Sequence, residues 1–333
     1  MWEKLRGHQR QVEMFRRAIQ RERTAHAYLF VGPHGIGKKL FAKNMSQCLF
    51  CERFPDTDFE ACGECSACKQ MQAGTHPDFL MIGCPEGKRE LPIDLLIGSR
   101  ENRGRTGLCH ELSLRPMSAN RRIAVIDDAE TMNEASANSL LKTLEEPPPG
   151  VILFLLSPET DQILPTIRSR CQIIRFSPLP ESDIAELLLE SGEVTSSEQA
   201  RTISQFSEGN LNTARQLLDS GLLELKNTIE KCLRSTPINS LKSVAAIKAV
   251  FDNLGGDTAK ERLNMRWANQ FSIEELRRQL HESEDHNRMD QLAAMLERCF
   301  EAESHLKQTM PVALCLEAMF DDLARLSRTQ IVV

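Results

Sequence analysis

A glycine-rich stretch, residues 32–39 (GPHGIGKK), contains the residue types best suited to hold a phosphate. It follows an apolar run at 26–31 and fits the phosphate-binding loop pattern G-x-x-x-x-G-K-[ST] except at its last position. In such a loop, backbone N–H groups surround the phosphates at the start of a helix, and Lys38 would reach the β- and γ-phosphates. Lys39 stands where a Ser or Thr would bind Mg²⁺, so nucleotide binding remains compatible with the loop but metal-assisted hydrolysis is expected to suffer. The predicted nucleotide-binding residues here are Gly32, Gly35, Gly37, Lys38 and Lys39.

Two carboxylates end the apolar part of RRIAVIDDAE (121–130) and predict the second part of a nucleotide site. An Asp that follows a strand beside a phosphate-binding loop can hold Mg²⁺, and this is the predicted role of Asp127. ATPases of this type place next a Glu that positions the attacking water, whereas this chain has the shorter Asp128. Because a displacement of about 1 Å can cost on the order of 10²-fold in rate, Asp128 and Lys39 both indicate weak hydrolysis. Ser157, which ends a later apolar run, is either a sensor of the γ-phosphate or a turn residue.

Four cysteines form a cluster, with ten residues between the first two and two residues between each later pair. Four thiolates satisfy tetrahedral Zn²⁺, and two-residue spacings are typical of zinc sites, so we predict a structural zinc module at about 51–68. Free reduced thiols are the alternative. Cys48 competes with Cys51 as a ligand by spacing, but Cys48 is expected to lie within the preceding helix. The predicted ligands are Cys51, Cys62, Cys65 and Cys68.

Two arginines lie in the segment TIRSRCQ (166–172), in a predicted turn between a helix and a strand. A guanidinium can stabilise charge on a transferring phosphoryl group, and a neighbouring subunit can supply it. Taken alone this signal is weak, because surface arginines are usually only solvated. The motifs that accompany Arg170 strengthen its interpretation as a residue that contacts a phosphoryl group.

An α/β sheet must position these motifs, because each lies beside a short apolar run. Runs that are apolar throughout and alternate with helical patterns predict a parallel sheet covered by helices on both faces. The strands are predicted at 26–31, 78–82, 121–130, 151–157 and 171–176. Helices are predicted at 9–21, 38–50 and 131–146, the last of which is stopped by three prolines.

The sequence changes character at 177–180, and no strand is predicted beyond that point. Short helices are expected at 181–191, 196–206 and 210–219, followed by longer charged helices such as 238–252 and 286–308. We therefore predict an α/β domain at 1–178, a small helical domain at 179–220 and a larger helical domain at 221–333.

The composition is typical of a folded globular protein. The chain has 333 residues, of which 41% are hydrophobic, and a net charge of −6. Any contact with nucleic acid would therefore need a local basic face. The N-terminal segment has no apolar core like that of a signal peptide, and no apolar run approaches the roughly 20 residues that span a bilayer. We expect a cytoplasmic protein, in whose reducing compartment clustered cysteines favour metal over disulfides.

Taken together, the motifs resemble the clamp-loader branch of the AAA+ ATPases, and within it the delta-prime family of bacterial DNA polymerase III. The resemblance covers most of residues 7–178, and LLKTLEEPP followed by SRC is its most specific feature. The His-Pro-Asp at 76–78 and the weakened ATPase motifs favour delta-prime over the gamma/tau motor subunit. The segments that carry it are GHQ (7–9), HAYLFVGPHGIGK (26–38), the four-cysteine module, AGTHPDF (73–79), IAVIDDAETMNEASANSLLKTLEEPP (123–148) and LPTIRSRC (164–171).

The resemblance implies a stator in a hetero-pentameric ring with gamma/tau and delta subunits, which loads the sliding clamp onto primed DNA. It implies that Arg170 is an arginine finger for the ATP site of the adjacent motor subunit. It also implies an AAA+ domain, a helical lid at 179–220 and a helical collar at 221–333. The chain would be part of the polymerase holoenzyme but would have no polymerase site of its own. Its own ATPase activity would be inactive or weak, and whether it binds ATP or ADP is left open.

Two features depart from the family pattern. Asn212 stands where the lid of many relatives has a sensor arginine, which further weakens the case for ATP hydrolysis. Segment 98–110 resembles an insertion, and residues 100–122 include six Arg and two Glu, which indicates either a solvated loop, the favoured interpretation, or a DNA-facing patch.

Two other functions compete with the stator. The chain could be an active gamma/tau-like ATPase, which Lys39 and Asp128 argue against. It could also be a zinc-containing nucleic-acid binder with a vestigial loop, which would bind DNA without partners.

Overall fold

The fold consists of an α/β unit followed by an all-helical unit. The computed structural model describes residues 2, 5–85, 88, 90–218, 220–255, 258–307 and 310–328. Two compact units divide the chain, Met1–Ala214 and Arg215–Val333. Within the described ranges, no helix combines the length and the apolar character needed to cross a membrane.

Five parallel strands form one sheet in the first unit, in the order β2-β3-β4-β1-β5. Every residue of β1, β3 and β4 is buried, as expected for strands covered on both faces. The predicted parallel α/β sheet is therefore confirmed. The strands are β1 (Ala27–Val31), β2 (Phe79–Ile82), β3 (Arg122–Ile126), β4 (Val151–Ser157) and β5 (Gln172–Arg175).

Helices that precede β5 cover both faces of the sheet, and alternate strand residues enter two separate cores, to which helices after β5 contribute no described residue. Tyr28 and Phe30 face one core, and Leu29 and Val31 face the other. The helices of this unit are α1 (Gln9–Gln20), α2 (Lys38–Phe50), α3 (Ser66–Ala73), α4 (Ile93–Ile97), α5 (Leu108–Ser113), α6 (Glu134–Glu145), α7 (Pro165–Arg168), α8 (Glu181–Glu190), α9 (Ser197–Phe206) and α10 (Leu211–Gln216), in which the unit boundary falls.

The sequence patterns located all five strands and helices α1, α2, α8, α9 and α10 within a few residues, but gave no bounds for helices α3, α4, α5 and α7. Helices α3, α4, α5 and α7 have four to eight residues, too few turns for a periodic apolar face. The helix predicted at 131–146 begins later, at Glu134, because the Asn133 side chain caps it by accepting a hydrogen bond from the Ser136 N–H at 2.9 Å.

The second unit has helices and no strands among its described residues. Its helices are α11 (Ser220–Arg234), α12 (Ser240–Leu254), α13 (Thr258–Glu282), α14 (His286–Lys307) and α15 (Val312–Leu326). Helix α13 packs against both α11 and α14. The absence of strands after 180 agrees with the prediction, as far as the chain is described. The division into a lid at 179–220 and a collar at 221–333 stays a prediction. Some predicted elements and domains begin or end at residues that lie outside the described ranges, namely residues 1, 219, 308 and 333.

Candidate functional site

The glycine-rich loop joins the carboxyl end of β1 to the first turn of α2. Gly35 and Gly37 have φ angles of +72° and +101°, a region that strains any residue with a Cβ. A Cβ on Gly35 would also overlap the side chain of Asn210, so the loop needs glycine there for space as well. Helix α2 begins at Lys38 directly after Gly37, which gives the loop and helix N-terminus the arrangement that binds phosphate.

The two lysines of the loop are both engaged with the protein itself. The buried Lys38 ammonium donates to the carbonyls of Gly32 and Pro33 at 2.5 and 2.7 Å. Burial lowers the pKa of Lys38, and nearby carboxylates oppose that effect. The Lys39 Nζ lies 2.9 Å from an Asp127 carboxylate oxygen. A lysine thus pairs with the carboxylate that was predicted to hold Mg²⁺, so the loop suits a phosphate but the magnesium position does not suit the metal.

Several carboxylate side chains follow β3, at the same edge of the sheet as the glycine-rich loop. Asp128 has a left-handed backbone (φ +53°), and burial together with the Asp127 charge raises its pKa. Burial likewise raises the pKa of Glu130. Ligand atoms of His34, Asp128 and Glu130 lie within 4.8 Å of one another. The sequence motifs gave no signal for His34 or Glu130, although both residues lie within them.

Ser157 ends β4 beside Val31, the residue that precedes the loop. Its buried hydroxyl donates to the Glu159 carbonyl at 2.8 Å. That bond belongs to a turn, which was the alternative interpretation of this residue. Its role as a γ-phosphate sensor stays a prediction.

The residue of the 209–212 segment that contacts the loop is Asn210. Its side-chain oxygen accepts from the N–H groups of Asn212 and Thr213 at 2.9 and 3.1 Å and caps α10, while the same side chain lies against Gly35. Asn212, the residue at the predicted sensor position, is exposed. An Asn directly before a helical pattern is a cap signal, which could have identified Asn210 from the sequence.

The four predicted zinc ligands come together. The sulfurs of Cys51, Cys62, Cys65 and Cys68 lie within 4.8 Å of one another. A zinc ion with bonds of about 2.3 Å would place its sulfurs about 3.8 Å apart. The Cys62 and Cys68 sulfurs are 3.9 Å apart, so the cluster has the size that a metal requires.

Backbone N–H groups point at these sulfurs, as expected where thiolates bind a cation. The Cys62 sulfur accepts from the N–H groups of Glu64 and Cys65 at 3.4 and 3.3 Å, and these bonds lower the pKa of Cys62 to about 6. Cys48 is not a member of the cluster: it is buried within α2, and burial raises the pKa of its thiol. Cys51, at the end of α2, therefore provides the fourth sulfur, as the sequence favoured.

Arg170 lies at the opposite edge of the sheet from the loop. It precedes β5, whose first residue Gln172 pairs with Tyr28 near the start of β1, whereas the glycine-rich loop follows the end of β1. Its guanidinium binds Glu145 at 2.6 Å and donates to the Thr166 carbonyl at 2.8 Å. The structure thus does not bring Arg170 together with the other predicted site residues.

The arginine-rich segment 100–122 is not uniformly solvated. Arg122 is buried, with Nε 3.5 Å from an Asp78 oxygen and Nη1 3.2 Å from a Glu111 oxygen. Arg121 pairs with Asp56 at 2.5 Å. Arg122 is therefore excluded from any DNA-facing patch or solvated loop, because strand β3 places it in the interior.

A buried strand that carries a glycine-rich loop, a helix that starts at its lysine, and two carboxylates after another strand of the same parallel sheet define an α/β domain of the phosphate-binding-loop class. The comparison with known proteins narrows the class. The family model described as "DNA polymerase III, delta subunit" matches residues 7–180. The chain is 31% identical over 244 residues to the DNA polymerase III subunit delta' of Pseudomonas aeruginosa, over 70% of each chain.

Two other relatives are also DNA polymerase III subunits, one of them a delta' and the other a tau subunit. The subunit delta' of Escherichia coli is 31% identical over 65% of this chain and 61% of its own length. The subunit tau of Bacillus subtilis is 27% identical over 68% of this chain and 37% of its own length. The chain belongs to the delta-prime family of DNA polymerase III subunits. The predicted function as a delta-prime-type clamp-loader subunit is thereby confirmed, and the gamma/tau alternative is less well supported.

Proposed function

We propose that the chain is a stator of the clamp loader: it joins gamma/tau and delta subunits in a hetero-pentameric ring and supplies Arg170 to a neighbour's ATP site. In this role it helps to load the sliding clamp onto primed DNA without hydrolysing ATP itself. Its family consists of polymerase subunits, and gamma/tau proteins are among its relatives, which supports assembly with related chains.

The observation that carries the proposal is the position of Arg170. The phosphate loop follows the carboxyl end of β1, and Arg170 lies beyond the amino end of that strand. Five residues of strand separate the two edges by roughly 17 Å. Arg170 is therefore too far away to reach a nucleotide on its own loop, and a guanidinium at this edge suits a phosphate bound by another subunit.

The chain's own nucleotide site supports the stator over the motor. Lys39 pairs with Asp127 at the magnesium position, and Asp128 has a left-handed backbone and a raised pKa. Without a bound metal and a well-placed base, phosphoryl transfer loses its main electrostatic assistance. The chain would then retain a phosphate-binding loop, formed by Gly32, Gly35, Gly37 and Lys38. Ser157 would be a turn residue beside this loop.

We predict that the isolated chain has no measurable ATPase activity, whereas the loader reconstituted with gamma/tau and delta hydrolyses ATP when the clamp and primed DNA are added. Phosphate release measured for the chain, the ring without this chain and the complete ring would separate the contributions. Steady turnover by the isolated chain in Mg²⁺ would contradict the stator and support the motor. Tight DNA binding by the isolated chain, lost on substitution of its cysteines, would support the nucleic-acid binder.

We further propose that the four-cysteine cluster holds a structural Zn²⁺. Cys51 follows α2 and Cys65 caps α3, so the metal would fix the end of one helix to the start of the next. Four sulfur ligands leave no position for substrate, and therefore the ion has no catalytic task.

The purified chain is expected to contain about one zinc per molecule by elemental analysis, and Cys65→Ser is expected to remove it and lower the free energy of unfolding by about 4 kcal/mol. Cys48→Ala is the matched control and should keep the metal, since Cys48 lies outside the cluster. A metal-free wild-type chain, or metal loss in Cys48→Ala but not in Cys51→Ala, would contradict the assignment.

A further inference from the structure

The guanidinium of Arg170 is held by three groups of its own chain. Nη1 donates to the Thr166 carbonyl at 2.8 Å and to the Ser169 hydroxyl at 3.3 Å, and Nη2 lies 2.6 Å from a Glu145 oxygen. A guanidinium has five N–H groups. Three are used in these contacts, so among the residues that the structure describes two are left to bind a phosphate.

Of the three groups, Glu145 alone comes from a different element. Thr166 and Ser169 belong to α7 and to its C-terminal cap, and they travel with Arg170. Glu145 is the last residue of α6, whose inner face is buried against the sheet through Ala137, Leu140 and Leu144. The ion pair therefore ties a surface side chain to a rigid part of the domain.

Glu145, at the C-terminal end of α6, lowers the stability of its own helix. A carboxylate in the last turn faces the negative end of the helix dipole, which costs roughly 0.3–1 kcal/mol. The side chain is about half exposed (49%), as is common for surface ion pairs, which contribute little to stability. Helix stability therefore does not account for Glu145, whereas the orientation of Arg170 does.

We propose that Glu145 is the positioning residue of Arg170: its carboxylate fixes the guanidinium in the orientation that a phosphate of the adjacent subunit requires. The inference rests on the proposed function of Arg170 as a trans arginine. A preorganised donor costs no reorganisation when charge develops on the phosphoryl group, and a loose one does. Glu145 acts through Arg170 and touches no substrate.

The test is the clamp- and DNA-stimulated ATPase of the reconstituted loader with Glu145→Ala. The Arg170-dependent part of kcat, defined as the part that Arg170→Ala removes, is expected to fall about tenfold with the KM for ATP unchanged. Glu145→Gln, whose amide oxygen still accepts from the guanidinium, should restore part of that rate. Combined with Arg170→Ala, Glu145→Ala should cause no further loss, because the two act as one unit.

Glu146→Ala is the matched control, since it removes the adjacent carboxylate at the same helix end and should leave the rate unchanged. A normal rate with Glu145→Ala, or losses that multiply in the double variant, would overturn the positioning role while leaving Arg170 as the finger. If Arg170→Ala itself has no effect, the proposed function fails and the positioning role falls with it. Should Glu145→Ala fail to assemble, the same criteria apply to Glu145→Gln.

Discussion

Arg170→Ala is expected to lower the rate of ATP hydrolysis by about 10³-fold at the one ATP site that this arginine completes. The loss arises because a guanidinium neutralises charge that develops on the γ-phosphoryl group, and alanine leaves that charge without a partner. Ring assembly should be unaffected, because the side chain is exposed to 35% and its ion pair with Glu145 contributes little to stability.

The measurement is stimulated phosphate release by the reconstituted loader, with assembly followed by size-exclusion chromatography. The total rate should fall by the share of the affected site, since the other sites of the ring are left intact. Arg168→Ala is the matched control from the same segment: Arg168 pairs with Asp161 at 3.1 Å, and its removal should leave hydrolysis unchanged. Equal losses from the two variants would indicate a nonspecific effect on the segment and reject Arg170 as the finger.

Asp78→Asn is expected to lower the free energy of unfolding by about 3–5 kcal/mol, because it removes the fully buried carboxylate beside the buried Arg122 and leaves only the half-exposed Glu111 to balance that charge. The Asp78 carboxylate is buried, and it accepts hydrogen bonds from the N–H groups of Met117, Ser118 and Ala119 at 2.7–2.9 Å. Asp78 thus orders the loop before β3 as well as compensating Arg122.

Chemical denaturation of the two variants Asp78→Asn and Asp56→Asn would check this prediction. Asp56 pairs with the neighbouring Arg121 at the surface, so its variant should lose at most about 1 kcal/mol. Comparable small losses in both variants would show that Glu111 alone is enough to balance the charge of Arg122.

The pH dependence of stability gives the same prediction a second readout. Burial opposes ionisation of Asp78, but the N–H donors outweigh it and the net pKa lies below the usual 3.8. A carboxyl group with a lowered pKa stabilises the fold fully above its unfolded pKa, and this contribution is lost as the pH falls through the folded value. The wild-type chain should therefore lose more stability than Asp78→Asn as the pH falls from about 5 to below 3.

The sequence located much of the site because its signals are local. Strand β4 and helix α2 were predicted at their observed residues, since an apolar run with a clear stop needs no information from distant parts of the chain. The cysteine cluster was predicted as well, because three of its four cysteines lie within seven residues. The glycine positions follow from the same local logic, since the loop needs positive φ angles whatever packs around it.

By itself the sequence determined the parallel α/β sheet, the glycine-rich loop, the cluster of four cysteines and the family, because each depends on residue types at short, fixed spacings. Only the tertiary structure decided the pairing of Lys39 with Asp127, the burial of Arg122 against Asp78, the contact of Asn210 with Gly35 and the anchoring of Arg170 by Glu145. These partners are 25 to 175 positions apart in the sequence. Their contacts exist because the strand order and the packing of helices bring distant segments together, and no local pattern encodes which side chains will then meet.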